Sequence, residues 1–587
     1  MALFAPSESP AIVVKEVDLS GVVPNVQSTT GAIVGNFRWG PVEEATAVDT
    51  EGTLASKFGT PTDLNAVDFL SAAYFLKYSS SLQVVRMVDS SAVNSRWPYN
   101  ATAAAVVKNS ENFNTVENSL DSDANIFIAK YPGSIGNSLA VAWCPPSGDS
   151  ANAANWDSAF ENWTYKSSFD GAPRTSSFAA SVNASNDEIH LAVIDQDGLI
   201  SGTRGTVLET FPYVSLASNA RLSDGTNNFI RSIVNNRSEY IWMPGFGVQG
   251  SYFDSAAGTE ATSGINFANA LLDNAVLTSL DSGANSGALG TNQYIAGFDA
   301  VSDKDTITVD FLIAPGVATR GSQIAVVNNL VSIAQGTRKD CVVVASPARE
   351  DIIGVNGSTA VTSAITTANG YTKSSYLIVD NNYLKVYDKY NDKYVYIPAA
   401  SSTAGVMAAS DLNAAPWFSP AGSRRGQYLG VTSLSYTPTK SQRDALYKAS
   451  INPIANIPGE GILLFGDKTA LSRPSAFDRI NVRRLFLTIE RAIALAARNV
   501  LFEFNDEFTR AEFVNIVEPF LREIQGRRGI TDFRVVCDET NNTPAVIDRN
   551  EFIASVFIKP ARSINYVTLN FVAVRTGVDF DEFVGTV

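Results

Sequence analysis

The spacing of apolar and polar positions changes several times along this 587-residue chain, and each change marks a new kind of element. Residues 10–20, PAIVVKEVDLS, form a short apolar run after a Pro- and Ser-rich start and predict a strand. GAIVGNF and SLQVVRMVD are continuous apolar runs and predict buried strands. Between them, DLNAVDFLSAAYFLKY repeats at helical spacing through Val67, Leu70, Ala73, Tyr74 and Leu76. From about Ser90 to Gly290 the pattern becomes short alternating stretches, such as NIFIAKY and EIHLAVIDQDG, broken by Asn, Ser, Asp and Gly. That predicts one or two β-rich domains. DTITVDFLIAPG, RGSQIAVVNNLVSIAQGT and KDCVVVASP then read as a parallel strand–helix–strand unit.

The C-terminal part has a different grammar. VRRLFLTIERAIALAARNVLFE predicts a long helix with Leu485, Ile489, Ile493, Ala496 and Val500 on one face and Arg483, Arg491 and Arg498 off it. TRAEFVNIVEPFLREIQGRRG predicts a second helix, opened by a Thr509–Glu512 capping box and closed at Gly526. Pro519 should kink or interrupt it. FRVVCDE and NEFIASVFIKP predict strands, and so does Ile564 to Arg575. In this last strand Val567, Leu569, Phe571 and Ala573 share one face, with Tyr566, Thr568, Val572 and Val574 on the other. Apolar on both faces and close to the chain's end, it needs a partner on each side.

Composition narrows the function classes. No run of eighteen apolar residues occurs, so no membrane span is expected. The start, MALFAPSESPAIVV, has no basic n-region and reads as no secretory signal. Cys144, Cys341 and Cys537 lie far apart, against a disulfide framework and in keeping with a reducing compartment. The net charge of −15 disfavours a general nucleic-acid binder. From Leu471 onward there are 15 basic and 16 acidic residues, and 14 of the cations are Arg, the cation favoured in paired and interfacial settings.

A search for catalytic chemistry returns little. His190 is the single histidine, which argues against a histidine triad or a His-rich metal site, and it reads as a surface or edge-strand residue. GFGVQG (245–250) matches a dinucleotide fingerprint literally, but Pro244 precedes it and no convincing helix follows, so it reads as a glycine loop. DQDG (195–198) opens like a calcium loop but lacks the distal Glu and reads as a turn. The Arg residues of the C-terminal helices are interleaved with Glu490, Glu512, Glu518 and Glu523, which favours a solvated or salt-bridged face over a nucleic-acid surface. No cofactor, metal or catalytic residue is assigned.

The strings GNFRWGPVEEATAVDTEGTLASKFGTP (35–61), FLKYSSSLQVVRMVD, YPGSIGNSLAV (131–141), YIPAASSTAGVMAASD, SINPIANIPGEGILLFGDKT and FDRINVRRLFLTIERAIALAARNVLFEFND together resemble contractile tail sheath proteins of myovirus-type bacteriophages. The resemblance implies a structural protein and not an enzyme. Such subunits form hexameric rings stacked helically around an inner tail tube, attach to baseplate and tail terminator proteins, and contract to drive the tube through the host envelope. It implies a virion component assembled in the host cytoplasm, with neither direct nucleic-acid contact nor membrane insertion.

The implied fold class is α/β and α+β multidomain: an inner α+β domain built from both chain termini, with inserted β-rich outer domains. The expected parts are an N-terminal strand arm (1–20), an α/β segment pairing with the later core (21–90) and an outer β-rich domain (91–185). A second outer domain ends in the βαβ unit (186–350), and a connecting part follows (351–420). An inner tube-facing α+β domain (421–562) and a C-terminal strand arm (563–587) complete the chain. The resemblance makes the arms the subunit linkage, through Ile12, Val13, Val14 and Val17 and through Val567, Leu569, Phe571 and Ala573, with KPARS (559–563) as flexible connector. Arg510, Arg522, Arg527 and Arg528, on the last helix and its GRRG loop, are the tube-facing candidates. Pairing of these Arg with Glu518 and Glu523 of the same chain is the alternative. Two other readings stay open: the sheath of a phage-derived contractile injection or secretion system, and a carboxylate-dependent enzyme.

Overall fold

The computed structural model describes residues 28–98, 106–122, 125–146, 159–247, 253, 255–267 and 275–565. The first arm, and the second beyond Asn565, lie outside the described residues. The described chain falls into two units: residues 28–416 with 420–492, and residues 417–419 with 493–565.

The larger unit is organised by a six-stranded sheet. Along the chain come β1 (Gly31–Gly35), β2 (Ala45–Val48), helix α1 (Ala66–Leu76) and β3 (Leu82–Arg86). A long insertion follows, carrying β4 (Leu139–Cys144), β5 (Glu188–Asp195), β6 (Thr206–Ser215) and β7 (Val276–Ser279). The chain then returns to the first sheet with β8 (Phe311–Ile313), α2 (Arg320–Ser332), β9 (Val342–Ala345) and β10 (Leu377–Val379). The spatial order is β10-β9-β8-β1-β3-β2, parallel throughout except for the antiparallel edge strand β2.

Parallel strands are covered on both faces, so their sequences are apolar without alternation. Ala32, Val34, Leu312 and Val343 enter one core with Tyr294, Phe298 and α2. Ile33, Phe311, Ile313 and Val344 enter the other with α1 and with α3 (Ala400–Asn413). Gly31 is required by that packing, since a Cβ there would lie 2.7 Å from the Phe75 ring. The predicted βαβ unit is present, but its strands join β1 and β3 in one sheet. The boundary expected at residue 350 therefore does not separate it from residues 21–90.

The insertion has its own antiparallel sheet, ordered β7-β4-β5-β6. Trp143, Phe211, Phe253 and Phe267 are among its buried core residues. His190 departs from the expected surface or edge position. It lies on the internal strand β5, wholly buried, with its ring 4.5 Å from that of Phe169. The Tyr213 N–H donates to Nδ1 at 3.0 Å, so the ring proton sits on Nε2 and is donated to the Gly171 carbonyl at 2.7 Å. Burial holds this imidazole below its ordinary value, against the pull of its backbone hydrogen bonds. The DQDG turn is organised by Asp195, whose carboxylate accepts the N–H groups of Gly198, Leu199, Ile200 and Ser201.

Arg86 fastens the insertion to the sheet. It ends β3, is fully buried, and donates to the carbonyls of Phe37, Gly40, Arg38 and Pro132 at 2.5–3.2 Å. Its cationic charge is spread over four carbonyl dipoles from two parts of the fold.

Removing that cation strands four buried acceptors. Arg86→Met is expected to cost at least about 3 kcal/mol, which lowers the melting temperature of the subunit by roughly 2–3 °C or more. A differential scan against the parent checks it.

An unfolded histidine takes up a proton near its ordinary value, and His190 in the fold resists doing so. Its contribution to stability is therefore whole above that value and lost as the pH falls through the lowered one. Hydrogen exchange in β5 is expected to accelerate between about pH 7 and pH 5 relative to other strands, and this component should vanish in His190→Gln.

Candidate subunit-coupling and tube-facing elements

Two segments carry the candidate functional residues: helix α4 (Ile480–Ala497) and the smaller unit that follows it. The N-terminal part of α4 is held to the large sheet by arginines. Arg484 forms an almost fully buried ion pair with Asp411 of α3 and donates to the Met407 carbonyl. The Ser28 hydroxyl donates to the same Asp411 carboxylate at 2.6 Å, at the first described residue of the chain. Arg491 pairs with Asp310, which also accepts the Thr30 N–H at 2.9 Å. Burial pushes the Asp310 carboxyl up to about 6, and Arg491 works against that push. Arg483 lies 4.1 Å over the Phe477 ring. Of the solvated or salt-bridged face expected of this helix, the salt-bridged form is present, buried at Arg484 and largely buried at Arg491. The acids that satisfy Arg484 and Arg491 come from distant parts of the chain, not from Glu490.

In the smaller unit, α5 (Glu507–Gly526) starts three residues earlier than the capping box predicts. Asp506 is the N-cap, its carboxylate accepting the Thr509 N–H at 2.8 Å. The helix runs on through Pro519 without interruption and ends at Gly526 as expected. Its apolar stripe of Phe513, Val517, Leu521 and Ile524 is buried. Two strands follow, β11 (Ile530–Val536) and β12 (Ser555–Pro560), paired antiparallel. Among the described residues this sheet has two strands. A two-stranded sheet is marginal alone in water, and here the apolar Phe533, Val535, Val556 and Ile558 are only half covered.

The tube-facing candidates separate. Arg510 is buried, its Nε donating to the Asp506 carbonyl. Arg522 is exposed and pairs with Glu518 at 3.2 Å, one helical turn away. Arg527 pairs with Glu523 at 3.4 Å and its guanidinium lies 5.0 Å over the Trp417 ring. Trp417 in turn donates its indole N–H to the Arg527 carbonyl at 3.1 Å. Arg528 is exposed at φ 67°, a left-handed conformation unusual for a residue with a Cβ. Gly529 closes the loop, its N–H donating to the Ile524 carbonyl at 2.9 Å; a Cβ there would lie 2.6 Å from the Ile524 side chain. The fold therefore presents Arg528 outward from a braced loop. The linkage candidates Ile12, Val13, Val14, Val17, Val567, Leu569, Phe571 and Ala573 lie outside the described residues.

Among the described residues no group of His, Cys, Asp and Glu could hold a metal ion. The three cysteines are buried, and burial pushes the Cys144 thiol up to about 12, far from a reactive thiolate.

Comparison with known proteins fixes the family. Residues 287–470 match the model of the phage tail sheath protein central domain, and residues 472–573 that of the phage tail sheath C-terminal domain. The chain is 32% identical to the tail sheath protein of Vibrio phage KVP40, over 98% of this chain and 99% of that one. It is also 32% identical to the tail sheath protein of Enterobacteria phage T4, with the same coverage. The chain belongs to the phage tail sheath family. The fold agrees with that of a sheath tail protein from Listeria innocua: TM-score 0.52 at 12% identity, covering 91% of this chain and 96% of that one. The tail sheath relatives align along nearly the whole chain, so the insertion between β3 and β8 and the smaller unit are both part of the sheath subunit.

The geometry of the GRRG loop makes its last two positions unequal. Arg528→Gly relieves a left-handed strain of about 1 kcal/mol and leaves the melting temperature unchanged or slightly raised. Gly529→Ala forces a Cβ against Ile524 and Trp417 and lowers stability by about 1–3 kcal/mol. Paired thermal scans check both.

Proposed function

We propose that this tail sheath protein polymerises as stacked hexameric rings around an inner tail tube and contracts to drive the tube through a host envelope. On this reading it is a structural subunit and carries no catalysis. Its partners are other copies of itself, the tube protein, and baseplate and tail terminator proteins. It works in the virion tail after assembly in the host cytoplasm.

The observation that carries this reading is the incomplete β11–β12 sheet. Its inner apolar face is half covered and its outer face carries the exposed Phe557. Strands added at its two edges would complete the ladder and cover those side chains. The terminal segments 10–20 and 564–575 have the composition of such strands, and donated by neighbouring copies they would link subunits. Lys559 and Pro560 of the expected connector KPARS (559–563) belong to β12, so residues 561–563 alone would act as the connector. The edge of the inserted sheet is built to refuse such pairing: β6 contains Pro212 and its register shifts twice against β5. Residues 91–290 are accordingly assigned an outward position and the C-terminal helices and hairpin an inward one.

The inward assignment makes the GRRG loop the tube contact. Arg528 leads it, Arg522 and Arg527 lend partly compensated charge, and Arg510, being buried, takes no part. An exposed ion pair is worth about 0.2–1 kcal/mol. Repeated around each ring, such contacts align sheath and tube without locking them.

Deletion of residues 563–587 tests the linkage. The expected product is a folded monomer that forms no long tubes by electron microscopy. Normal sheath-like tubes from it would sink the exchanged-strand reading. Arg528→Glu tests the tube contact: assembly on purified tubes should be lost while tube-free polymerisation continues. Unchanged assembly on tubes removes Arg528 from the contact.

A further inference from the structure

The smaller unit carries an apolar surface that the strand linkage does not use. Leu501, Phe502, Phe504 and Phe508 are exposed, Phe502 completely and Phe504 at 83%. The loop bearing them is fixed in place. Asn505 donates to the Glu551 carbonyl at 2.9 Å and contacts Asn542 at 3.3 Å, which ties it to the segment bearing the exposed Ile547 and Ile553. The rim is acidic, with Glu503, Asp506 and Glu507 interleaved among the aromatics and Glu551 paired to Arg549. Four large apolar side chains left in water within eight positions mark an interface.

The larger unit carries a surface of matching chemistry. Leu464 exchanges backbone hydrogen bonds with Gly422 and Gly426 at 2.9 and 2.8 Å, which sets the loop bearing Arg424 and Arg425 beside the exposed Phe465. The Arg443 guanidinium lies 5.5 Å over the Phe465 ring. The mutual repulsion of Arg424 and Arg425 adds to burial in lowering the Arg425 value. The acids on this surface, Asp444 and Glu460, are outnumbered, and Glu460 is engaged by the Ser423 hydroxyl at 2.6 Å.

We infer that the acidic aromatic surface of residues 501–508 docks on the basic surface around Phe465 of a second copy of this chain. The inference rests on the polymer reading above. The two faces differ, so the contact is head-to-tail, the type that builds rings or helical filaments instead of closed dimers. Aromatic contact supplies the apolar burial and the opposed charges set the orientation. It is a second linkage between copies, independent of the terminal strands.

Two charge-reversed chains test it. One carries Glu503→Arg and Glu507→Arg, the other Arg424→Glu and Arg443→Glu. All four positions are at least partly open to solvent, and each monomer should melt close to the parent. Each variant alone should need at least about tenfold more protein than the parent to polymerise. An equimolar mixture should polymerise like the parent, because alternating copies restore opposite charge at every junction. Parent-like polymerisation of either variant alone overturns the inference. So does rescue that occurs only when all four changes lie on one chain, which would place the contact within a subunit. Loss of assembly on tubes with tube-free polymerisation intact would assign the surface to the tube and also overturn it. A parent chain that forms no polymer would instead sink the polymer reading itself.

Discussion

The pairing of β1 between β8 and β3 is the constraint on which the rest of the subunit depends. It joins Gly31–Gly35 to strands on both sides, one of them nearly three hundred residues away. Everything between β3 and β8 must leave the sheet and return. The insertion can therefore vary in content as long as its two ends stay fixed. Arg86 holds the outgoing end, binding carbonyls of the 37–40 loop and of Pro132 at once. Asp310 holds the returning end, accepting the Thr30 N–H beside β1 and the Arg491 guanidinium of α4. Buried charges cost less when they are fully hydrogen-bonded, and breaking them is costly because a charge or its acceptors are then left unpaired. Such ties suit joints that must not slip.

How much of this was legible depended on range. β1, β3, α1 and the βαβ unit were readable because burial on both faces, or at helical spacing, leaves a local signature. The buried ion pairs were not. Arg484 finds Asp411 across 73 positions and Arg491 finds Asp310 across 181, and nothing in the periodicity of α4 names those partners. Counting only nearby Glu residues pointed to a solvated or salt-bridged face, and the bridges exist, but to Asp411 and Asp310 instead of the interleaved Glu residues. His190 was misplaced for a related reason. Alternation in EIHLAVID says that β5 is a strand, but whether it is internal depends on β4 and β6. Asp506 was overlooked as a cap because Thr509–Glu512 offered the more familiar box. Pro519 was tolerated because helix packing through Val517 and Leu521 outweighs one missing hydrogen bond. The GRRG loop was flagged for its charge, but the left-handed turn at Arg528 and the bracing by Trp417 are properties of coordinates, not of letters.

The surfaces of the two units differ in how they treat exposed apolar groups. The large sheet is closed on both faces, and its edge strand β2 is short. The inserted sheet blunts its edge with Pro212. The smaller unit does neither: among the described residues its sheet has two strands, and its 501–508 segment holds aromatic rings in water. In a monomer that combination invites aggregation. In a sheath subunit it is consistent with surfaces reserved for other copies.

A contracting polymer needs links of unequal strength, and the chemistry of this chain offers them. A donated strand makes several ladder hydrogen bonds of about 1 kcal/mol net each and buries Val, Leu and Phe side chains besides. Such a link survives rotation if its connector is slack. Contacts through Arg528, or between an acidic and a basic surface, are each weak and screened by salt. They can break and re-form in a new geometry without unfolding anything. On this reading the strands keep the subunits together, while the charged surfaces select which arrangement of the same subunits is lower in free energy.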